Sequence, residues 1–224
     1  MKIQFLGTGA ADWKAVPEDF TGYRYFSSAL VNEELLIDPG PDVFAAAGRY
    51  DIDVSGVKYV INTHRHPDHF SHETLSRLTE AGAEFITFKP GEKKQVGRFV
   101  ISAFAANHGT CPGTVHFMID DGSRKLYYAL DGAWLLYDEY LALKGGADLL
   151  VLDATVGDIP GDYRIFEHNN LNMVREMRQT LKPFIGRFIV SHIARTLHRD
   201  HEALAESLAP CGIEAARDGM TLVF

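Results

Sequence analysis

The sequence predicts a mixed α/β fold in which at least one sheet is covered by helices. Strands in the first part of the chain come in hairpin-like pairs, whereas strands in the second part alternate with helices. At 224 residues and 46% hydrophobic composition, the chain is long enough to bury a full core. We therefore expect a single compact domain over residues 1–224.

The first elements are short and end in turn residues. An apolar strand at 3–6 runs into Gly7-Thr8-Gly9, and the irregular stretch that follows, up to Arg24, is expected to form an ordered loop over a site. Strands are predicted at 28–31 and 35–38, the second ending at Asp38-Pro39-Gly40, and a short helix at 42–48. A strand at 57–61 then leads into the His-rich loop 64–69, and a helix follows at 72–81.

The second part of the chain continues with strands at 84–88 and 99–105. Residues 114–119 and 125–130 are predicted to form a hairpin through Asp120-Asp121-Gly122. Apolar runs predict further strands at 148–152, 188–190 and 221–224, and helical spacing predicts helices at 135–143, 171–181 and 200–208.

Composition argues against several classes of function. The net charge of −8, from 22 basic and 30 acidic residues, argues against a broad nucleic-acid-binding face. Cys111 and Cys211 lie far apart with no CxxC pattern, which indicates reduced thiols in a cytoplasmic protein. No window approaches the ~20 apolar residues that a membrane span requires, so we expect no membrane partner.

Polar residues recur at the carboxyl ends of the predicted strands. Strand ends that share one rim of a sheet lie close together, so these side chains should converge. Histidine and aspartate suit zinc and also iron or manganese, and without paired cysteines nearby a closed structural zinc site is disfavoured. The residues in question are His64, His108, Asp131, Asp153 and His192.

The densest part of this pattern is the loop at 64–69. The i, i+2 spacing of His64 and His66 on extended backbone turns both imidazoles toward one metal. Asp68 and His69 can then face a second metal, and Pro67 stiffens the loop between the two pairs. Four metal-type ligands within six residues behind a buried strand predict a metal site.

The run His64-Arg65-His66-Pro67-Asp68-His69 resembles the HxHxDH motif of the metallo-β-lactamase superfamily. The opening strand, the Asp38-Pro39-Gly40 turn and the later His108, Asp131 and His192 occur in the order of that family. The resemblance implies a four-layer αββα sandwich with a dimetal site at one edge. It also implies the ligands: the first metal would be held by His64, His66 and His108, and the second by Asp68, His69 and His192, with Asp131 bridging both.

This resemblance implies a binuclear metal-dependent hydrolase. Two divalent ions about 3.5–4 Å apart need an anionic bridge, and a water shared between them becomes the attacking hydroxide. Zinc is the preferred metal, with manganese and iron as alternatives. Flavodiiron relatives carry an acid at the position of His66, so the histidine favours hydrolysis over oxygen chemistry.

Asp131 and His168 together resemble the branch of ribonuclease Z and the phosphoribosyl cyclic phosphodiesterases. In that branch the extra histidine protonates the leaving alkoxide, a role suited to an imidazole near neutral pH. Asp68 and His168 are thus the candidate catalytic residues. The alternative for His168 is a surface residue that caps the helix before Leu171.

Members of the ribonuclease Z group usually hold tRNA with a long protruding arm, and this chain is too short to form one. Its net charge is also negative. We therefore expect a small anionic phosphodiester, a cyclic nucleotide or cyclic sugar phosphate, rather than structured RNA. Arg195, His198 and Arg199 are candidates to hold the rest of that anion, and a solvated approach to the last helix is the alternative.

Asp38 and Asp153 are expected to orient ligand imidazoles through their second ring nitrogen, with plain turn formation as the alternative for Asp38. Three other functions stay open for the chain: an ester, thioester or lactone hydrolase, a tRNA-processing endonuclease without the arm, and a metal-binding sensor without turnover. Because many members of the family are dimers, the resemblance also leaves a homodimer open for this chain.

Overall fold

A computed structural model describes residues 1–11 and 22–224. Most of the loop predicted between Gly9 and Arg24 lies outside the described residues. Two β-sheets account for the strands of the described chain. The strands of the first sheet are β1 (Lys2–Gly7), β2 (Ser28–Val31), β3 (Leu35–Ile37), β4 (Tyr59–Ile61), β5 (Glu84–Ile86) and β13 (Thr221–Val223).

The second sheet contains the remaining strands and is flanked by the later helices. Its strands are β6 (Lys93–Val96), β7 (Phe99–Ala105), β8 (Val115–Asp120), β9 (Lys125–Ala129), β10 (Ala147–Asp153), β11 (Ile185–Ser191) and β12 (Glu214–Ala215). The helices are α1 (Val43–Tyr50), α2 (His72–Glu80), α3 (Tyr137–Leu143), α4 (Leu171–Leu181) and α5 (His201–Leu208).

Strand order is β13-β1-β2-β3-β4-β5 in the first sheet and β12-β11-β10-β9-β8-β7-β6 in the second. Hairpin-like antiparallel pairs join β1 to β2 and β2 to β3, and β7 to β8 and β8 to β9. The β3–β4 pair and the run β9, β10, β11 and β12 are parallel. Helical crossovers connect the parallel strands, as such pairing requires.

The apolar side chains form three layers. Strand residues alternate between faces, so Ile37 and Val151 pack between the two sheets, whereas their neighbours Leu36 and Leu150 face the helices. Helices α1 and α2 cover the first sheet, and α4 and α5 cover the second. The result is the αββα sandwich predicted from the sequence.

The differences from the predicted elements have local causes. Strand β6 was not predicted because its sequence, Lys93-Lys94-Gln95-Val96, is mostly polar, as an edge strand tolerates. Strand β12 has two residues, too few for a periodic signal. Helix α1 begins at Val43 and continues past the predicted end, stopping at a left-handed Asp51. Within the described ranges, none of the helices has the length and hydropathy of a membrane span.

Candidate metal centre

The candidate residues follow strands whose carboxyl ends lie at one rim of the sandwich. In the first sheet, parallel β3 and β4 end just before Asp38 and His64. In the second sheet, β9, β10 and β11 are parallel and deliver Asp131, Asp153 and His192. Residues that are far apart in the sequence therefore lie at one common edge of the two sheets.

Three of these strand-end residues have left-handed backbone. The φ angles are 62° at Asp38, 57° at Asp131 and 55° at His192. A non-glycine residue in this region costs of order 1 kcal/mol, and such residues concentrate at functional sites. Left-handed backbone thus occurs at three of the strand ends where the candidate residues lie.

His64, His66 and His108 form the first cluster, with ligand atoms within 4.8 Å of one another. Nε2 of His108 lies 3.2 Å from Nδ1 of His66. The Nδ1 of His64 contacts the Thr63 hydroxyl at 3.0 Å, and its Nε2 is buried without a hydrogen-bond partner among the described residues. The three rings thus direct one nitrogen each to a common point.

Asp68, His69 and His192 form the second cluster under the same distance limit. The two imidazoles face each other with their Nε2 atoms 3.2 Å apart. Oδ2 of Asp68 lies 3.3 Å from Nε2 of His69 and 3.6 Å from Nε2 of His192. These three donors also converge, on a point adjacent to the first cluster.

The carboxylate of Asp131 lies between the two clusters. Its Oδ2 is 2.8 Å from Nε2 of His69 and 3.1 Å from Nε2 of His192, and its Oδ1 is 4.0 Å from Nε2 of His108. Despite these short contacts, Oδ2 has no partner with hydrogen-bond geometry in the described chain. One oxygen is therefore directed to each cluster.

Asp38 and Asp153 contact the Nδ1 atoms of the two histidines of the second cluster. Oδ2 of Asp38 is 2.9 Å from Nδ1 of His69, and Oδ2 of Asp153 is 3.0 Å from Nδ1 of His192. A proton on each Nδ1, donated to the carboxylate, leaves the Nε2 lone pair for a metal. Asp38 thus does more than form the turn before Pro39, since it also accepts from the amide of Thr63 at 2.7 Å.

The buried charges shift the pKa values of the site strongly. Burial lowers the pKa of His64 to about 2, which keeps this imidazole neutral. Burial opposes protonation of His192 too, but the attraction of Asp131 outweighs it and raises the pKa to about 10. The pKa of Asp131 lies well below its usual range because His192 and His69 outweigh the effect of burial. Burial raises the pKa of Asp68, but the attraction of His69 outweighs it, and the net shift is downward.

This donor set fits a pair of divalent cations. Four buried carboxylates meet at the rim, and bound divalent cations would offset this concentration of negative charge. Nε2 of His64 and Oδ2 of Asp131 are buried without a hydrogen-bond partner among the described residues, and each is free to bind a metal. The carboxylates are Asp38, Asp68, Asp131 and Asp153.

His168 lies beside both clusters. Its Nδ1 is 3.0 Å from Oδ2 of Asp153 and 3.8 Å from Oδ1 of Asp131, and its ring stacks on that of His192 at 5.4 Å between centroids. The helix-capping alternative is wrong, because Asn170 caps α4 by accepting from the amide of Met173. Burial lowers the pKa of His168, but the attraction of Asp153 outweighs it and the net shift is upward.

A cavity of about 390 Å³ opens over these residues. His64 and His69 lie beneath its floor. The residues that line it are Ala10, Ala11, His66, Asp68, His108, Thr110, Asp131, Thr155, Arg164, Glu167, His168, His192 and Thr196.

The structure does not bring Arg195, His198 and Arg199 into this cavity. They line a separate cavity, and Nε2 of His198 is held 2.8 Å from the carbonyl oxygen of Ala154. Only Thr196 of that segment faces the candidate centre. The segment forms a 3₁₀ turn over Arg195–Leu197, in which successive side chains point in different directions.

The sequence interpretation also missed residues that line the cavity. Arg164 and Glu167 come from the 3₁₀ turn Tyr163–Phe166 and the residue after it, and Oε2 of Glu167 lies 3.1 Å from Nδ1 of His108. Thr155 contacts Nδ1 of His192 at 2.7 Å. Thr155 was foreseeable because it follows a strand-end aspartate by two residues, but Arg164 has no sequence signal of its own.

The sequence of residues 27–71 matches the family described as the metallo-beta-lactamase superfamily. This segment includes the HxHxDH loop and the Asp38 turn. The match bears out, over this segment, the resemblance predicted from the motif. The residues that could hold metal ions include the histidines and Asp68 of the same segment. No curated protein matches the chain.

Solved structures that share the fold cover essentially the whole chain. Zn²⁺-bound PqqB from Methylobacterium extorquens superposes with a TM-score of 0.76 at 20% identity, covering 100% of both chains. A diphosphatase from the PhnP family gives a TM-score of 0.73 at 22% identity, covering 100% of this chain and 97% of its own. The short form of human tRNase Z gives 0.71 at 17% identity, covering 100% and 99%. At these identities the likeness establishes the fold.

Proposed function

We propose that this protein is a phosphodiesterase that uses two divalent metal ions to hydrolyse a small phosphodiester. His64, His66 and His108 would hold the first metal, Asp68, His69 and His192 would hold the second, and Asp131 would be shared between them. Bound divalent ions supply a nucleophile from water at neutral pH and polarise the phosphoryl group. Zinc is the favoured metal, since one structural neighbour is described as Zn²⁺-bound.

The placement of His168 is the observation that carries this proposal. Asp153 holds the Nδ1 edge at 3.0 Å, so the opposite nitrogen, Nε2, is left for a ligand in the cavity. The attraction of Asp153 outweighs burial and raises the pKa of His168, which favours the protonated imidazole. His168 can therefore donate a proton to a leaving alkoxide, which an alcohol requires and an activated ester does not.

Asp68 is the second catalytic residue in this proposal. Its carboxylate lines the cavity and stays ionised, because the attraction of His69 lowers its pKa despite burial. An ionised oxygen at this position can accept a hydrogen bond or a proton from the attacking water. The two residues then divide the proton transfers between the attacking and leaving sides.

Cavity size and charge support a small anionic substrate. A volume of about 390 Å³ falls in the range of small-molecule sites. Arg164 is the only arginine or lysine among the described lining residues, and its guanidinium also pairs with Asp162 at 2.7 Å. A cyclic nucleotide or cyclic sugar phosphate fits this setting better than tRNA, which needs a broad basic surface. Two structural neighbours, from the PhnP family and tRNase Z, are named for phosphate-ester chemistry.

The test compares two phosphodiesters that differ in their leaving group. Wild-type protein with measured metal content is assayed with bis(4-nitrophenyl) phosphate and with a 2′,3′-cyclic nucleotide, before and after chelation. We expect both rates to be lost with chelator and restored by Zn²⁺ or Mn²⁺. His168→Asn should lower the rate on the cyclic nucleotide by about 10²–10⁴-fold and the rate on the activated ester far less.

The matched control is His72→Asn, which replaces an exposed imidazole on α2 and should leave both rates unchanged. Equal losses on both substrates with metals retained would disprove the general-acid role. Thioesters or lactones turned over faster than phosphodiesters would indicate the carbonyl-hydrolase alternative. Full metal occupancy with no turnover on any of these substrates would indicate a sensor.

A further inference from the structure

A second buried polar cluster lies under the metal rim, between the second sheet and α3. Glu139 of α3, His116 of β8 and Tyr127 of β9 are each at most 1% exposed. The carboxylate of Glu139 lies 2.5 Å from Nδ1 of His116 and accepts from the Tyr127 hydroxyl at 2.9 Å. It also accepts from the amide of Leu136 at 2.6 Å. None of these residues reaches the cavity over the metals.

The free edge of the His116 ring lies against Gly132, the residue after Asp131. A Cβ at Gly132 would come within 2.7 Å of Cε1 and 2.8 Å of Nε2 of His116. That Nε2 is buried and has no hydrogen-bond partner in the described chain. Glu139 fixes one side of the imidazole, and the other side is packed tightly on the backbone of the turn that carries Asp131.

The same turn is held at both of its ends. The amide of Asp131 donates to Asp153 at 3.3 Å, and the amide of Ala133 donates to the carbonyl oxygen of Asn107 at 3.0 Å. Asn107 directly precedes His108, so one short turn links the candidate bridging carboxylate to a ligand of the first cluster. The His116 ring packs against Gly132 in the middle of this turn, next to Asp131, whose backbone is left-handed.

A purely structural role explains this cluster poorly. Buried polar groups are commonly less favourable for stability than apolar side chains of similar volume, and a ring nitrogen without a partner adds to that cost. The surrounding layer is otherwise apolar, formed by residues such as Leu143 and Met118. The imidazole of His116 is bonded to the Glu139 carboxylate, which also accepts hydrogen bonds from Tyr127 and from the amide of Leu136. Held in this way, the rigid ring can fix the position of the Gly132 backbone, which a flexible aliphatic side chain could not do.

We infer that His116, anchored by Glu139, is a positioning residue that fixes the Asp131–Gly132 turn and thereby sets the affinity and geometry of the metal centre. This inference rests on the proposed metal site. It assigns no contact between His116 and substrate or metal.

His116→Asn tests the inference directly. The asparagine amide can occupy the place of Nδ1 and keep the bond to Glu139, but it lacks the Cε1–Nε2 edge that supports Gly132. We expect the dissociation constant for Co²⁺ to rise about tenfold, as is typical when a group that supports a ligand is lost. The visible absorption bands of the Co²⁺ form, which report ligand geometry, should also shift.

Gly132→Ala supplies the complementary change. Its methyl group meets the wild-type imidazole, so the single variant should weaken Co²⁺ binding as well. In the double variant the methyl group enters the space that His116→Asn vacates, and Co²⁺ affinity should return toward the wild-type value. Such non-additivity is the signature of two residues that act through one contact.

Tyr127→Phe is the control, because it removes a donor to Glu139 without touching Gly132. It should lower the melting temperature of the metal-free protein and leave the Co²⁺ constant and spectrum unchanged. If wild-type protein binds Co²⁺ but both single variants bind it equally well with the same spectrum, the positioning role is wrong. If the wild-type protein binds no metal, the proposed function itself fails. Should His116→Asn not fold, Gly132→Ala decides by the same two measurements.

Discussion

Replacing Asp38 by asparagine isolates the effect of one carboxylate on one imidazole. The residue is fully buried with a φ of 62°, a conformation that asparagine tolerates better than most residues, so the backbone should survive the change. Asparagine can keep its oxygen toward the amide of Thr63, which lies 2.7 Å from Oδ1. Its NH₂ group then takes the place of Oδ2, which is 2.9 Å from Nδ1 of His69.

The magnitude follows from this reversed hydrogen bond. An NH₂ group cannot accept a proton from Nδ1, so His69 must move its proton to Nε2, the nitrogen that faces Asp131 at 2.8 Å. That tautomer has no lone pair for a metal. Loss of such supporting partners typically costs 10–100-fold in metal affinity, or roughly 1.4–2.7 kcal/mol.

Competition against a chromophoric chelator measures this loss. The metal dissociation constant of Asp38→Asn should exceed that of wild type by at least about tenfold, with the second metal lost before the first. Asp53→Asn is the control, because it makes the same charge change at an exposed site. A constant for Asp38→Asn within about twofold of wild type, in a folded protein, would refute the tautomer argument.

Three further results are expected. Because Asp153 and Asp131 raise the pKa of His168 against the effect of burial, turnover of an alkyl phosphodiester should fall as pH rises through that pKa, and a pH–rate profile of His168→Asn should lack this limb. Gly40→Ala places a Cβ 2.3 Å from the carbonyl oxygen of Asp68, so it should lower the free energy of unfolding in urea by about 1–3 kcal/mol and weaken metal binding. Gly48→Ala is the control, because its Cβ would meet nothing within 4 Å, and it should leave stability unchanged or increase it. Burial raises the pKa of Asp218 from 3.8 to about 6, so the native state binds this proton more tightly than the unfolded chain does. The free energy of unfolding should therefore fall as pH rises from about 4 through 6, by up to about 3 kcal/mol. In urea titrations of metal-free protein, Asp218→Asn should flatten that fall, and an unchanged pH dependence would show that Asp218 does not cause it.

Local spacing was enough to predict that the side chains of the candidate metal-binding loop converge. His64 and His66 share a side of extended backbone, and Asp68 and His69 follow within one turn, so their convergence depends on few residues. Strand ends followed by a histidine or aspartate were also visible, because apolar runs stop abruptly before His108, Asp131 and His192. The structure brings these residues together at one rim.

Other parts of the site depend on packing between distant segments. Arg164 lines the cavity only because the 3₁₀ turn folds back over it, whereas Arg195 and His198, next in sequence to a candidate ligand, turn away. The edge strand β6 shows the same dependence, since its polar sequence pairs only because β7 lies beside it.

The sequence by itself was enough to predict the layered fold, the resemblance to the superfamily and the candidate ligand types, because each depends on hydrophobic periodicity and on residues a few positions apart. Only the tertiary structure decided which carboxylate supports which imidazole and which arginine faces the cavity. It alone brought His116 against Gly132 and within reach of Glu139, 23 residues away. Such contacts arise from the docking of α3 on the second sheet and from left-handed turns at strand ends, where no pattern in the local sequence fixes the direction of a side chain.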